Sequence, residues 1–221
     1  MYKLDFGVVF AALPQLLWGC LGTFALAISG MILSMLIGVF GVVARTSSVA
    51  VLRFFIIAFV ELIRNTPFLV QIYFIFFALP LMGVRLSPTV TAIIALGING
   101  GAYAIEIIRG GVEAVPKGQI EAGAALGLNR RDIFRLIVLK PAIRAIYPAL
   151  TSQFIMLTLT SSVCSSIAAF ELTSVAQIVD GDTFRSFEVY FTVTGMYLFI
   201  SWMMMAFFAQ IFRRAFSYPT K

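Results

Sequence analysis

The sequence predicts an all-α integral membrane protein with five transmembrane helices, an external N-terminus and a cytoplasmic C-terminus. Three observations carry that expectation. Of the 221 residues, 61% are hydrophobic and 12% charged, whereas a soluble domain keeps about a quarter of its residues charged to face water. Lipid must therefore serve as part of the solvent. Five stretches, 6–44, 65–84, 86–105, 145–170 and 189–212, contain no charged residue, and each reaches the roughly 20 residues that a helix needs to cross about 30 Å of hydrocarbon. The basic residues fall mostly on one side of those stretches, which sets the orientation.

Taken in order, the first span is placed at 15–44, with Pro14 near its start, where a missing N–H costs little. Residues 6–13 are expected at the interface ahead of it. The run is too long for the apolar region of a signal peptide, so it is read as a retained span. Residues 49–64 are apolar with Arg53, Glu61 and Arg64 interspersed, as in an interfacial helix leading to Asn65-Thr66-Pro67 and the second span, 66–84. Pro80, Gly83 and Pro88 bracket a short external turn before the third span, 87–108. The fourth span is placed at 146–169. Residues 171–188 are read as a modestly acidic outer loop, and the fifth span as 189–212. Backbone groups in lipid must pair within their own segment, so these runs are helices, and the alternating ten-residue segments of a barrel are missing. One membrane domain is expected over 1–221.

The charges then fix the sides. Arg45, Arg53, Arg64, Arg109, Lys117, Arg130, Arg131, Arg135, Lys140, Arg144, Arg213, Arg214 and Lys221 fall on one side, and only Lys3, Arg85 and Arg185 on the other. The richer side is cytoplasmic by the positive-inside rule. That bias accounts for the net positive charge without invoking nucleic acid. The chain has no histidine, which removes most zinc sites and Ser-His or Cys-His mechanisms, and no catalytic or metal-ligating set is expected. Cys20 and Cys164 both fall inside spans, where a thiol packs as a small apolar group. There is no Gly-x-x-x-x-Gly-Lys-Ser/Thr phosphate loop, so the chain is not expected to bind ATP itself.

One hydrophilic segment, 109–144, is long enough to do more than connect. Residues 121–126 read as a short helix of small residues stopped by Gly127, which is expected at positive φ. Glu121 is expected at the start of this helix, where the dipole favours a carboxylate. A second helix starts near Asn129 and carries Ile133, Phe134, Ile137 and Val138 on one face. Such a segment is either an ordinary surface loop or a helix whose small residues admit a partner surface closely.

Polar residues within spans are costly unless paired or facing a cavity. Asn99 lies midway along the third span between Gly97 and Gly101, whose spacing suits close helix packing, so it either frames that packing or faces a solute. Thr158, Ser161, Ser162 and Ser165 make a candidate wet face on the fourth span, or bond back to their own helix. Gln71 and Tyr103 are further candidates. Glu106 and Arg109 have the spacing of an intrahelical ion pair. No acid lies in the central part of a predicted span, so a strongly cationic solute would find no resident counter-charge.

Glu121-Ala122, Gly127, Ile137 and Leu139 resemble, in type and spacing, the EAA motif of ABC-importer permeases. Gly123 stands in place of the usual second alanine, and Pro141 falls one position late. The stretches 61–71, 103–111 with 117–119, and 184–190 are similar to segments of the polar amino-acid permeases, so the resemblance covers nearly the whole chain. It implies a five-helix type I importer subunit, non-catalytic and multi-pass in a bacterial plasma (inner) membrane, translocating a polar amino acid. The partners implied are an ATP-binding-cassette ATPase carrying ATP and Mg, a second permease subunit, identical or paralogous, and an extracytoplasmic solute-binding protein. Glu121, Ala122, Gly123, Ala124, Ala125, Leu126, Gly127 and Leu128 correspond to the family's coupling helix, between the third and fourth spans. An ATPase-independent channel or carrier is the alternative, and it leaves the basic cytoplasmic loop without a role.

Overall fold

Length and apolarity give three helices that can each cross a membrane alone, α2, α5 and α10 in the order below. The computed structural model describes residues 3–216, and every regular element among them is helical. Lys221, counted above with the cytoplasmic charges, lies outside the described residues.

The chain opens with a short helix, α1 (Gly7–Ala11), followed by α2 (Leu13–Arg45) with Pro14 in its first turn. Helix α3 (Ala50–Arg64) follows, then α4 (Phe68–Leu81), α5 (Pro88–Glu113) and α6 (Lys117–Ala125). A single turn, α7 (Arg130–Asp132), enters a π-helical segment, Ile133–Val138, which continues as α8 (Leu139–Thr160) and tightens into a 3₁₀ segment, Ser161–Ile167. Helices α9 (Leu172–Thr183) and α10 (Ser186–Ala215) complete it.

Helices α2 and α5 form the central pair, and glycine makes their close approach possible. A Cβ at Gly97 would lie 2.4 Å from Leu33, and one at Gly101 would lie 2.5 Å from Ile37. Three apolar clusters surround this seam. Leu16, Leu172, Val175, Val179 and Val189 join α2 to α9 and α10. Leu26, Ile72, Leu96, Leu157 and Ile167 join α2, α4, α5 and α8 with its 3₁₀ end. Val115, Val138, Ala142 and Ile146 close the end that carries α6.

Four expectations are corrected. The second span is not a helix over 66–84: α4 has 14 residues, about 21 Å, short of a crossing. Pro67 is its extended N-cap, with ψ 138°, and α3 meets α4 at 110°. Residues 171–188 are not an outer loop, because α9 folds back there and buries Leu172, Val175, Ala176 and Val179. The fourth span does not begin at 146, since helix runs unbroken from Arg130 to Ile167. Pro141 is accommodated there because the wider π turn lies beside the Ile137 carbonyl that its ring would strike in a regular helix. Finally, Phe134 leaves the expected inner face and is 49% exposed, because the π segment shifts the register that a 3.6-residue period assigns.

Candidate functional site

Two regions gather the residues singled out by sequence. The first is α6 and its exit. The helix begins at Pro116 with no side-chain cap, so Glu121 is its fifth residue rather than its start, and the dipole argument for that carboxylate does not hold. The exit is a Schellman motif. Leu128 N–H donates to Gly123 O at 3.1 Å and Gly127 N–H to Ala124 O at 3.0 Å, with Gly127 at φ +77°, as a left-handed C′ position requires. Asn129 then caps the next helix through Asp132 N–H at 3.0 Å.

The faces of α6 are divided sharply. Gly123 is buried, and a Cβ there would lie 2.4 Å from Ile137 Cδ1. Glycine in place of the usual alanine thus lets α6 seat against the π segment. Glu121, Ala122, Ala124, Ala125, Leu126 and Gly127 are exposed, Leu126 by 81%, while Leu128 is half-buried. Ile120 and Ile133 anchor the inner side on the cluster at the roots of α5 and α8. The outer side offers small side chains, one carboxylate and one projecting leucine.

The second region is the α3–α4 corner against the middle of α5. A helix broken here frees carbonyls, and local side chains take them up. Asn65 Nδ2 donates to Glu61 O at 2.8 Å, and Thr66 Oγ1 to Leu62 O at 2.9 Å. Buried Gln71 donates through Nε2 to Ile63 O at 2.7 Å and Thr66 O at 3.0 Å. Its Oε1 accepts from Asn99 Nδ2 at 3.0 Å. One helical turn further along α5, the Arg64 guanidinium lies over the Tyr103 ring, 5.3 Å from its centroid. Glu106 follows on the same helix. It pairs with Arg109 at 2.8 Å, as its spacing suggested, and also with Arg45 from the last turn of α2. Arg109 reaches Glu113 as well, at 2.5 Å.

The hydroxyls of the fourth span do not form one wet face. Thr158 and Ser161 are fully buried. Thr158 donates to Phe154 O at 2.9 Å and approaches Met204 Sδ of α10 at 3.4 Å, and Ser161 donates to Thr158 O at 2.6 Å. Ser162 and Ser165, three apart and so stacked on one edge of the 3₁₀ turn, are half-buried. Gln177 Nε2 of α9 reaches Ser165 Oγ at 3.3 Å. Backbone bonding accounts for all four hydroxyls.

Sequence reasoning missed Arg45, Arg64 and Glu171. Glu171 is fully buried and caps α9, accepting from Thr173 N–H at 2.8 Å, Ser174 N–H at 2.6 Å and the Tyr197 hydroxyl at 2.7 Å. Ser174 completes a capping box. The Glu-Leu-Thr-Ser spacing carried that signal; the charge-based reading of a loop passed over it.

Residues 30–217 match the family described as the binding-protein-dependent transport system inner membrane component. The chain belongs to this family. Among relatives of this permease, the glutamine transport system permease protein GlnP of Escherichia coli (strain K12) is 35% identical over 201 residues, covering 90% of this chain and 92% of that one. The L-cystine transport system permease protein TcyB of Bacillus subtilis (strain 168) is 39% identical over 164 residues, covering 74% and 70%. A crystal structure of an amino acid ABC transporter with histidines superposes with a TM-score of 0.92 at 30% identity, over 96% of this permease and all of that chain. An inward-facing form of the MetNI methionine ABC transporter shares the fold, with a TM-score of 0.70 at 20% identity. This permease is thus a membrane component of an ABC importer.

Proposed function

We propose that this permease carries a polar, uncharged amino acid across the bacterial inner membrane, driven by a separate ATPase that binds ATP and Mg. The α-helical core spans the membrane five times, the bent pairs α3–α4 and α8–α9 each counting once, with the N-terminus outside. A second permease subunit shares the passage, and a solute-binding protein delivers the solute from outside. Amino-acid transport by similar proteins of nearly full-length coverage supports this reading.

The observation that carries it is the two-sided α6. Its inner side is fixed to α5 and α8, and its outer side presents Glu121, Ala122, Ala124, Ala125 and Leu126, a surface that admits a close-fitting partner. Motion of an ATPase against it would pass directly into two long helices. The solute class follows from the acids. Glu171 and Glu188 are fully buried, Glu106 is paired with two arginines, and the exposed Glu61 carboxylate accepts from Asn65 Nδ2 at 3.0 Å, so each of these acids is already engaged before a cationic side chain arrives. Asn99 and Tyr103, on one face of α5, border the path. The hydroxyls at 162 and 165 border it from the 3₁₀ segment.

Purification from cells tests the assembly: an ATPase subunit travels with the chain, and loaded binding protein raises ATP hydrolysis of the reconstituted complex. Competition uptake then tests the solute, with glutamine-like neutral amino acids competing best. Uptake of lysine or arginine alone would rule out the solute class.

A further inference from the structure

Arg64 ends α3 immediately before the 110° corner, and its position along the membrane normal can be read from α5. Its partner Tyr103 is the sixteenth residue of that helix. At 1.5 Å per residue this is about 22 Å from the Pro88 end and about 15 Å from the Glu113 end. The contact therefore falls inside the hydrocarbon that α5 crosses, toward the end where Glu106 begins the paired charges, so Arg64, counted by sequence with the cytoplasmic loop charges, lies within the span instead.

A guanidinium at that depth does not face lipid, where an unpaired charge is costly. Arg64 is nevertheless exposed, and so is the carboxamide-bearing Asn65 beside it. The irregular backbone of the corner meets the same constraint, since such backbone persists at membrane depth only inside protein or along water. These exposures together turn the corner away from lipid.

Arg64 acts on Glu106 at a distance but is not ion-paired with it. Glu106 is engaged by Arg45 and Arg109, and Glu113 by Arg109. Among the described residues Arg64 has no carboxylate within ion-pair distance. Its guanidinium carbon lies over the Tyr103 ring, 5.3 Å from the centroid. The N–H edge of a guanidinium is the part of arginine that takes a carboxylate through two parallel hydrogen bonds.

We infer that Arg64, stacked on Tyr103, receives the α-carboxylate of the amino acid as it passes the α3–α4 corner. The site rests on the amino-acid uptake proposed above. It complements the solute class argued there, because a carboxylate anchor serves any side chain that does not itself repel a cation.

The test uses the complex with its ATPase in lipid nanodiscs, carrying Cys20→Ala and Cys164→Ala, with Asn65→Cys as a reporter beside the site. The probe is the L-amino acid that the wild-type complex takes up fastest from a panel of twenty, paired with its own α-carboxamide. A water-soluble maleimide labels the thiol at 65, and the amino acid slows labelling at least threefold while its carboxamide does not. Arg64→Gln removes the protection, Arg64→Lys keeps part of it, and Tyr103→Phe, which preserves the ring face, keeps most. Absence of labelling, equal protection by acid and carboxamide, or protection that survives Arg64→Gln each overturns the site. A wild-type complex that takes up no amino acid with any binding protein overturns the underlying reading instead.

Discussion

Asn99 Nδ2 donates to Gln71 Oε1 at 3.0 Å, joining the middle of α5 to the first turn of α4. The same Gln71 side chain closes the carbonyls of Ile63 and Thr66 left open by the broken helix. Two residues read from sequence as solute contacts are therefore also the brace of a corner. A solute at this level meets a surface whose shape the brace has already fixed.

Gln71→Leu should destabilise the permease more than Asn99→Leu. The first takes a partner from the Ile63 and Thr66 carbonyls and from the Asn99 donor, and the second leaves only the Gln71 acceptor without one. Buried groups left unpaired cost about 1–3 kcal/mol, so about 3 kcal/mol is expected for Gln71→Leu and about 1 kcal/mol for Asn99→Leu. Thermal unfolding in detergent, followed by helical circular dichroism, measures the difference. Equal losses would show that the corner does not depend on this brace.

Much of the frame was legible, because hydrocarbon imposes length and excludes charge. The spans at 15–44, 87–108 and 189–212 correspond to α2, α5 and α10. Gly127 and Asn129 declared themselves through local rules that need no tertiary context. What escaped depended on contacts between distant segments. Arg45 and Glu106 are 61 residues apart, and nothing in either neighbourhood pairs them. Helix α9 was hidden because its acids were counted as loop charges, although Glu171 is a buried cap. The shortness of α4 was hidden because apolar composition does not distinguish a crossing helix from a re-entrant half.

The orientation predicts a labelling pattern. Single cysteines at Lys3, Arg85 and Asp182 should react with an impermeant maleimide in intact cells. Those at Asn129 and Lys221 should react only after permeabilisation. Reaction at Asn129 from outside would invert the protein and remove α6 from any ATPase in the cytoplasm.

Glu171 holds α9 against α10, so its loss should be felt as mobility in that helix. Glu171→Ala removes an N-cap, worth about 1–2 kcal/mol, and removes one of the two partners of the half-buried Tyr197 hydroxyl, which keeps Thr173 Oγ1 at 3.0 Å. Glu171→Gln retains one acceptor oxygen and should cost less than half as much. Hydrogen exchange of α9 amides should rise more than tenfold in Glu171→Ala, with α5 unchanged. Uniform acceleration across both helices would mean that Glu171 supports the whole fold rather than this joint.

The glycines of α6 and its exit make opposite predictions, because one is constrained by space and the other by backbone angle. At Gly123 a Cβ meets side chains alone, the far end of Ile137 at 2.4 Å and Ile133 Cγ1 at 3.3 Å. Gly123→Ala should be tolerated after a small side-chain shift, and Gly123→Ala with Ile137→Val should restore any loss. Gly123→Leu should lift α6 from its seat. At Gly127 no atom lies within 4 Å of a built Cβ, but φ is +77°, where a side chain costs about 1–2 kcal/mol. Gly127→Val should insert normally yet turn the exit of α6 away from the exposed face formed by Ala122, Ala124 and Ala125. Gly127→Asn, which tolerates this conformation better, should recover most of the function. ATP hydrolysis stimulated by loaded binding protein is the readout, with membrane insertion scored separately. Stimulation should fall at least fivefold in Gly127→Val and less than twofold in Gly123→Ala. Full stimulation and uptake in Gly127→Val would remove α6 as the coupling element, since the exit geometry would then have no bearing on what reaches α5 and α8.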